Sequence, residues 1–274
     1  MLTLKRYHII LTIKHCFELI SKLMYNWIRM YGTNDVHAGL YVPRKEIDFM
    51  SKKISAVIVA AGASSRMGCE KSKLLLNILG KTVIRLSLEA LNHSEVISEI
   101  ILVVREQDKK VMETEASGIE KVSAVIAGGE TRQASVYNGV MAAAGDYIAV
   151  HDGARPLVTE QEIADVCRDA LLYGAATLAC VPKDTVKTAG EDGFAERTPP
   201  RDSLRLIATP QVFEKGMYLR ALHQAGGAEF TDDCQLIENS GGRVYLTPGE
   251  YTNIKITTPE DIGVAQEILK RIGK

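Results

Sequence analysis

Arg66, Lys71 and Lys73 follow a loop of small residues in the stretch VIVAAGASSRMGCEKSKLLL, residues 57–76. A short apolar run that turns directly into Ala, Gly and Ser lets backbone N–H groups approach an anion closely, and cations spaced beyond it add charge. That combination suits a phosphate. Neither standard phosphate motif is present: there is no GxGxxG, and Gly68 is followed by Cys69 rather than by Lys and a hydroxyl residue. An ordinary dinucleotide fold and a P-loop are therefore both excluded. Three more polar clusters lie downstream. AGGETRQAS (127–135) is a second Gly-rich turn, HDGARPL (151–157) carries Asp152 and Arg155, and NIKITTPED (253–261) carries Lys255. No His/Asp or Ser/His constellation accompanies them, and the lone His151 reads as structural. The chemistry these residue types suit is charge neutralisation.

The elements that must position these clusters are legible as a rhythm. ISAVIVA (54–60), EIILVV (99–104), VSAVIA (122–127), YIAVHD (147–152) and ATLACVP (176–182) are nearly continuous Val- and Ile-rich runs. Strands buried on both faces of a parallel sheet read this way. Between them lie helical patterns. In TRQASVYNGVMAAA, Tyr137, Val140, Met141 and Ala144 fall at i, i+3, i+4, i+7 and share one face. TEQEIADVCRDALLYG begins with Thr159 as a cap and Glu162 as its capping-box partner, and Gly174 stops it. Strands alternating with helices predict a three-layer α/β/α sandwich around a mainly parallel, Rossmann-like sheet. The polar clusters then fall at strand carboxyl ends, where open α/β sheets bind ligands. Residues 183–203, KDTVKTAGEDGFAERTPPRDS, break the rhythm and read as a protruding β-arm inserted into the domain. Regular α/β resumes through LIATPQVF, DCQLIENSGG, RVYLTP and a final helix after TTPEDI.

Composition narrows the class. The chain has 274 residues, of which 46% are apolar and 24% charged, an ordinary globular balance. A net charge of −1 argues against a nucleic-acid or membrane-surface partner. Five scattered cysteines, Cys16, Cys69, Cys167, Cys180 and Cys234, show no metal-site spacing and suit a reducing cytoplasm. Residues 1–49 read differently, with four of the ten tyrosines and the only tryptophan, Trp27. Lys14, Glu18 and Lys22 interrupt their apolar runs, so the ~20 apolar residues of a membrane span are lacking. No cleavage site follows, against a signal peptide. An interfacial amphipathic helix is one alternative. RKEIDFMSKK reverse-translates into a purine-rich stretch ahead of Met50, as a ribosome-binding site would. Met50 is therefore expected to begin the natural protein, with 1–49 an over-extended reading frame and 50–274 the functional domain.

The ordered set AAGASSRMG…K, GGETRQASV, HDGARP, VPKDTVK, ATPQVF, FTDD and YTNIKITTPED closely resembles the 2-C-methyl-D-erythritol 4-phosphate cytidylyltransferase family, over about residues 54–272. AAG…RM alone marks only the broader nucleotidyltransferase superfamily, with its nucleotide-diphospho-sugar transferase type of fold. Ser64 stands where many relatives carry glycine. The resemblance implies that a polyol phosphate, 2-C-methyl-D-erythritol 4-phosphate, attacks the α-phosphorus of CTP and releases pyrophosphate, on the non-mevalonate route to isoprenoid precursors.

The same resemblance implies roles. Arg66 and Lys73 would stabilise the transition state, with Lys71 the lesser candidate. Arg201 and Lys255 would hold the polyol phosphate for attack. Asp152, Arg155, Thr185, Thr209 and Thr231 would surround the sugar alcohol. CTP would be held by Ala60, Ala61, Gly62 and Ala63, by the Gly129–Glu130 turn with Ser135, and by Asp152 and Gly153. Mg²⁺ would be carried mainly by the CTP phosphates, with no protein metal ligand. The arm bearing Thr185 and Arg201 would cross to a second subunit of a homodimer. Two alternatives stay open: ribitol-5-phosphate cytidylyltransferase, and a non-catalytic CTP-binding module. The cations that serve only a transition state disfavour the second. HDGARP, KDTVK and FTDD disfavour the first.

Overall fold

A computed structural model describes residues 52–62 and 72–272, so the segment 1–49, Ala63, Ser64, Arg66 and Lys71 lie outside the described residues. The expected apolar runs form β1 (Ile54–Ala60), β4 (Glu99–Val104), β5 (Val122–Ala127), β6 (Tyr147–Asp152) and β7 (Ala175–Cys180). Between β1 and β4 come a single 3₁₀ turn (Lys73–Leu75), the two-residue strands β2 (Asn77–Ile78) and β3 (Lys81–Thr82), and helix α1 (Val83–His93). Helix α2 (Lys109–Ala116) links β4 to β5, α3 (Arg132–Ala142) links β5 to β6, and α4 (Glu160–Tyr173) links β6 to β7. After β8 (Thr188–Ala189) and β9 (Ala195–Arg197) come β10 (Leu206–Glu214), α5 (Lys215–Ala225), α6 (Asp233–Asn239), β11 (Tyr245–Pro248) and α7 (Glu260–Arg271).

Seven strands make the central sheet in the order β11-β7-β10-β6-β1-β4-β5. All its pairings are parallel except those of β10, which runs antiparallel to both β6 and β7. β1 sits mid-sheet, with Val57 level with Ile101 on β4 and Val150 on β6. Strand alternation sends the two sets of side chains to opposite faces. Ile54, Ala56, Ile58, Ile100, Leu102 and Val104 pack into one apolar cluster with α1, α2, α4 and α7. Val57, Ile101, Val103, Ile148 and Val150 pack into another with α3, α5 and α6. These are the three layers expected from the sequence.

Helix α4 starts as its capping box requires. The Thr159 hydroxyl accepts from Glu162 N at 3.1 Å, and Glu162 Oε2 accepts from Thr159 N at 3.0 Å. It stops at Gly174, whose φ of 86° is one that glycine adopts at little cost. Helix α3 occupies the expected residues but presents a different face. Tyr137, Met141 and Ala144 are exposed, while Val136, Gly139, Val140 and Ala143 are buried. The reason is Gly139: a Cβ there would stand 2.3 Å from Val57 Cγ1, so the helix backbone rests almost directly on β1. In residues 183–203, β8 and β9 pair antiparallel and no residue is buried.

Candidate active site

β1, β5 and β6 all end at one cavity of about 380 Å³, as the positions of the polar clusters implied. Ala60, Ala61 and Gly62 enter it from the end of β1, and Lys73 from the 3₁₀ turn that follows. Gly129 and Glu130 come from the turn after β5, with Ser135 from α3. Asp152 ends β6, and Lys255 reaches the same space from the loop after β11.

The second Gly-rich turn is glycine for a steric reason. A Cβ at Gly128 would stand 2.6 Å from Ala61 Cβ and 2.7 Å from Ser135 Oγ, so the two backbone turns can approach only without one. Ser135 fixes the turn's shape: its hydroxyl accepts from Gly129 N at 3.1 Å and donates to Thr131 O at 2.9 Å. Thr131 caps α3, its hydroxyl accepting from Ala134 N at 3.1 Å. The positive end of a helix dipole thus opens at the cavity wall, which favours a bound anion.

The two lysines converge from segments far apart in the chain. Lys73 Nζ donates to Ile256 O at 2.8 Å, which brings it beside Lys255. The loop carrying Lys255 is strapped to the end of β6: Arg155 donates to Asn253 O at 2.7 Å, and Ile256 N donates to Ala154 O at 2.8 Å. Lys255 Nζ lies 2.7 Å from Asp152 Oδ2, with Arg155 Nε at 3.8 Å from the same oxygen. Burial pushes the Asp152 carboxyl pKa up, but Lys255, Arg132 and Arg155 outweigh it and hold the group below the usual carboxylate range. Asp152 therefore stays ionised and fixes Lys255.

His151, Thr209, Arg155 and Gly153 form the support behind this wall. Asp152 N donates to Thr209 Oγ1 at 3.0 Å, which leaves the Thr209 hydroxyl hydrogen for His151 Nδ1 at 3.1 Å. His151 Nε2–H then donates to Arg155 O at 3.2 Å. Burial, opposed by Asp152, lowers the His151 pKa to about 4, so the ring is neutral and serves as a fixed strut. Gly153 N donates to Val59 O at 3.0 Å, stitching β6 to β1 beneath the cavity.

Besides Gly153, Arg155 and Thr209 behind the wall, three more expected residues lie off the cavity lining. Thr185 and Arg201 are exposed on the segment 183–203, 3.4 Å apart between Oγ1 and a guanidinium nitrogen. Thr231 is exposed, its hydroxyl donating to Gln235 Oε1 at 2.9 Å. Among the charged residues of the described lining, Arg132, within AGGETRQAS, was not singled out from the sequence. Its position directly after the α3 cap was the available signal. Among the described residues no His or Cys lines the cavity, and no group of three or more His, Cys, Asp or Glu is placed to hold a metal ion. No helix among them is long and apolar enough to cross a membrane. The arrangement of Lys73, Lys255, Arg132 and the α3 N-terminus around one cavity is suited to a polyanion and to offsetting its charge.

Comparison with known proteins gives one answer. A family model described as IspD, 2-C-methyl-D-erythritol 4-phosphate cytidylyltransferase, matches residues 54–271. The 2-C-methyl-D-erythritol 4-phosphate cytidylyltransferase of Pelotomaculum thermopropionicum is 44% identical over 225 residues, covering 80% of this chain and 94% of that protein. The enzyme of the same name from Caldanaerobacter subterraneus subsp. tengcongensis is 44% identical over 225 residues, covering 80% and 99%. Among solved structures, the 4-diphosphocytidyl-2C-methyl-D-erythritol synthase of Anaerococcus prevotii superposes with a TM-score of 0.71 at 32% identity, covering 82% of this chain and 98% of that one.

Proposed function

The chain belongs to the 2-C-methyl-D-erythritol 4-phosphate cytidylyltransferase family, and from that membership we propose how its crevice works. It is a cytidylyltransferase that joins CTP to 2-C-methyl-D-erythritol 4-phosphate in isoprenoid precursor biosynthesis. A phosphate oxygen of the polyol phosphate attacks the α-phosphorus of CTP, a new P–O bond forms, the bond to the β-phosphate breaks, and pyrophosphate leaves. A phosphate monoester has a second pKa near ~6, so the nucleophile is already largely dianionic and needs no base. That agrees with a cavity whose described lining holds no histidine. The requirement that remains is to offset the charge gathering on the phosphorus and the departing pyrophosphate.

Lys73, together with Arg66 from the small-residue stretch that follows Gly62 in the sequence, supplies that charge. Lys255 positions the attacking phosphate, and Asp152 faces the polyol hydroxyls. The backbone of Ala60, Ala61, Gly62 and Ala63 and the Gly129–Glu130 turn hold the cytidine, with Ser135 shaping that turn. Arg155, Thr209 and Gly153 act from behind, by holding Asp152 and its loop. The observation that carries this reading is the approach of Lys73 and Lys255 to one cavity, bridged through the Ile256 carbonyl and anchored by Asp152.

Enzymes of this family use divalent metal ions. Mg²⁺ is the ion proposed, and the donor set fits one carried by its ligand. Among the described lining residues the carboxylates are Glu130 and Asp152, and Asp152 is already matched by Lys255 at 2.7 Å, so the triphosphate would provide most of the oxygens. When bound, the ion would neutralise part of the triphosphate charge. Arg201 and Thr185, exposed on residues 183–203, are assigned to the site of a second copy, with Thr231 completing the polyol end. In support, that hairpin has no buried residue of its own to hold it against this chain. The proposal thus includes a homodimer. It also includes a cytoplasmic setting, in keeping with the free thiols of Cys167, Cys180 and Cys234.

A coupled pyrophosphate-release assay with CTP and either methylerythritol phosphate or ribitol 5-phosphate tests the reading. Release is expected with the first substrate and at least a hundredfold less with the second. The reverse preference, or CTP binding with no release from either, would overturn it.

A further inference from the structure

The two aspartates of the motif FTDD, residues 230–233, have no task in the reaction as described so far, and they divide the work between them. Asp232 caps α6, accepting from Gln235 N at 2.9 Å, and holds Gln211 through a 3.0 Å bond from Nε2. Asp233 is 2% exposed and points the other way, toward the cavity wall. Its Oδ1 accepts from the buried Tyr218 hydroxyl at 2.7 Å, its backbone N donates to Gln211 Oε1 at 3.2 Å, and its Oδ2 lies 2.8 Å from a guanidinium nitrogen of Arg132. The other terminal nitrogen of Arg132 lies 3.9 Å from Asp152 Oδ1. Asp152 in turn grips Lys255 at 2.7 Å through its other oxygen.

A planar guanidinium can serve two carboxylates at once from one rigid fork, whereas an ammonium is a single point charge. Burial pushes the Arg132 pKa down, but Asp233 and Asp152 outweigh it, so the guanidinium remains charged. The result is an alternating chain of Tyr218, Asp233, Arg132, Asp152 and Lys255. It runs from the apolar layer under α5 to the cavity. Asp233 fixes Arg132, and Arg132 holds the Asp152 oxygen that Lys255 does not.

We propose that Arg132 and Asp233 are positioning residues for the polyol-phosphate half of the site, acting through Asp152 on the placement of Lys255. This rests on the reading of Asp152 as a polyol-facing residue, and the two can fail separately. Arg132→Lys keeps a charge beside Asp233 but loses the second branch of the fork. Asp233→Asn keeps the shape and the Tyr218 contact but loses the anchor. Each is expected to raise KM for methylerythritol phosphate about tenfold, to leave KM for CTP within twofold, and to shift Tm by only a few degrees. Asp152→Asn is expected to raise the same KM, and the double variant Arg132→Lys/Asp152→Asn to be no worse than Asp152→Asn alone within twofold. Multiplying losses in the double variant would overturn the proposal, as would equal damage to CTP use, or folded Arg132→Lys and Asp233→Asn enzymes with wild-type KM values. An Asp152→Asn enzyme with unchanged KM for the polyol phosphate would instead remove the reading of Asp152, and this proposal with it.

Discussion

Lowering the pH should expose the cost of burying His151 as a neutral strut. The native ring has a pKa of about 4, against 6.5 for the free side chain, with burial as the main cause. Between these values the unfolded chain binds a proton that the native state refuses. The native state therefore keeps its full stability above about pH 6.5 and loses it as the pH falls toward about 4. Two-state linkage with these pKa values gives a loss of about 2 kcal/mol from this one group between about pH 7.5 and pH 5. Other histidines and carboxylates titrate across the same range, so a difference of differences is needed. His151→Gln keeps a donor toward Arg155 O and cannot take up the proton. Urea unfolding of both proteins at the two pH values, read as midpoint and slope, gives four stabilities. The wild type should lose about 2 kcal/mol more than His151→Gln on acidification. Parallel losses would refute the buried neutral ring, and with it the tautomer that holds Thr209 and Arg155 in place.

Gly128→Ala places a methyl group 2.6 Å from Ala61 and 2.7 Å from Ser135, an overpacking that costs about 1–3 kcal/mol. Because the strain falls between the two turns proposed to hold the cytidine, KM for CTP should rise about tenfold while KM for the polyol phosphate stays close to normal. An unchanged CTP KM in a folded variant would show that the turns have room to spare. Arg201→Ala should weaken use of methylerythritol phosphate and leave CTP affinity intact by calorimetry. Lost CTP affinity would contradict its assignment to the polyol phosphate.

Much of this was readable along the chain because the relevant physics is local. Strands buried on both faces must be apolar throughout, so β1, β4, β5 and β6 announced themselves with their bounds. A capping box spans four residues, so Thr159 and Glu162 marked the start of α4. Lys73, Asp152 and Lys255 were found by their places beyond apolar runs, and the parallel sheet gathered them. What escaped depended on distant neighbours. The buried face of α3 is set by the contact of Gly139 with Val57, and an apolar count gives weight to Tyr137 and Met141 and none to a glycine. Arg132 acquires its place only when α6 delivers Asp233 to it, a contact no spacing within AGGETRQAS encodes. Thr209 sits among the expected polar residues, yet its hydroxyl is taken up by Asp152 N and His151 and works from behind the wall.

The meeting of cations over one reactive phosphorus is tested most directly by the single-turnover rate of Lys73→Ala, with both substrates saturating. Pyrophosphate formation should slow by about 10²–10³, the scale for losing one preorganised stabilising group. CTP affinity measured on the same preparation should stay within a few-fold of wild type. A rate close to that of the wild type would mean that Lys73 does not meet the transferring phosphoryl group, and the charge-offsetting crevice would lose its centre.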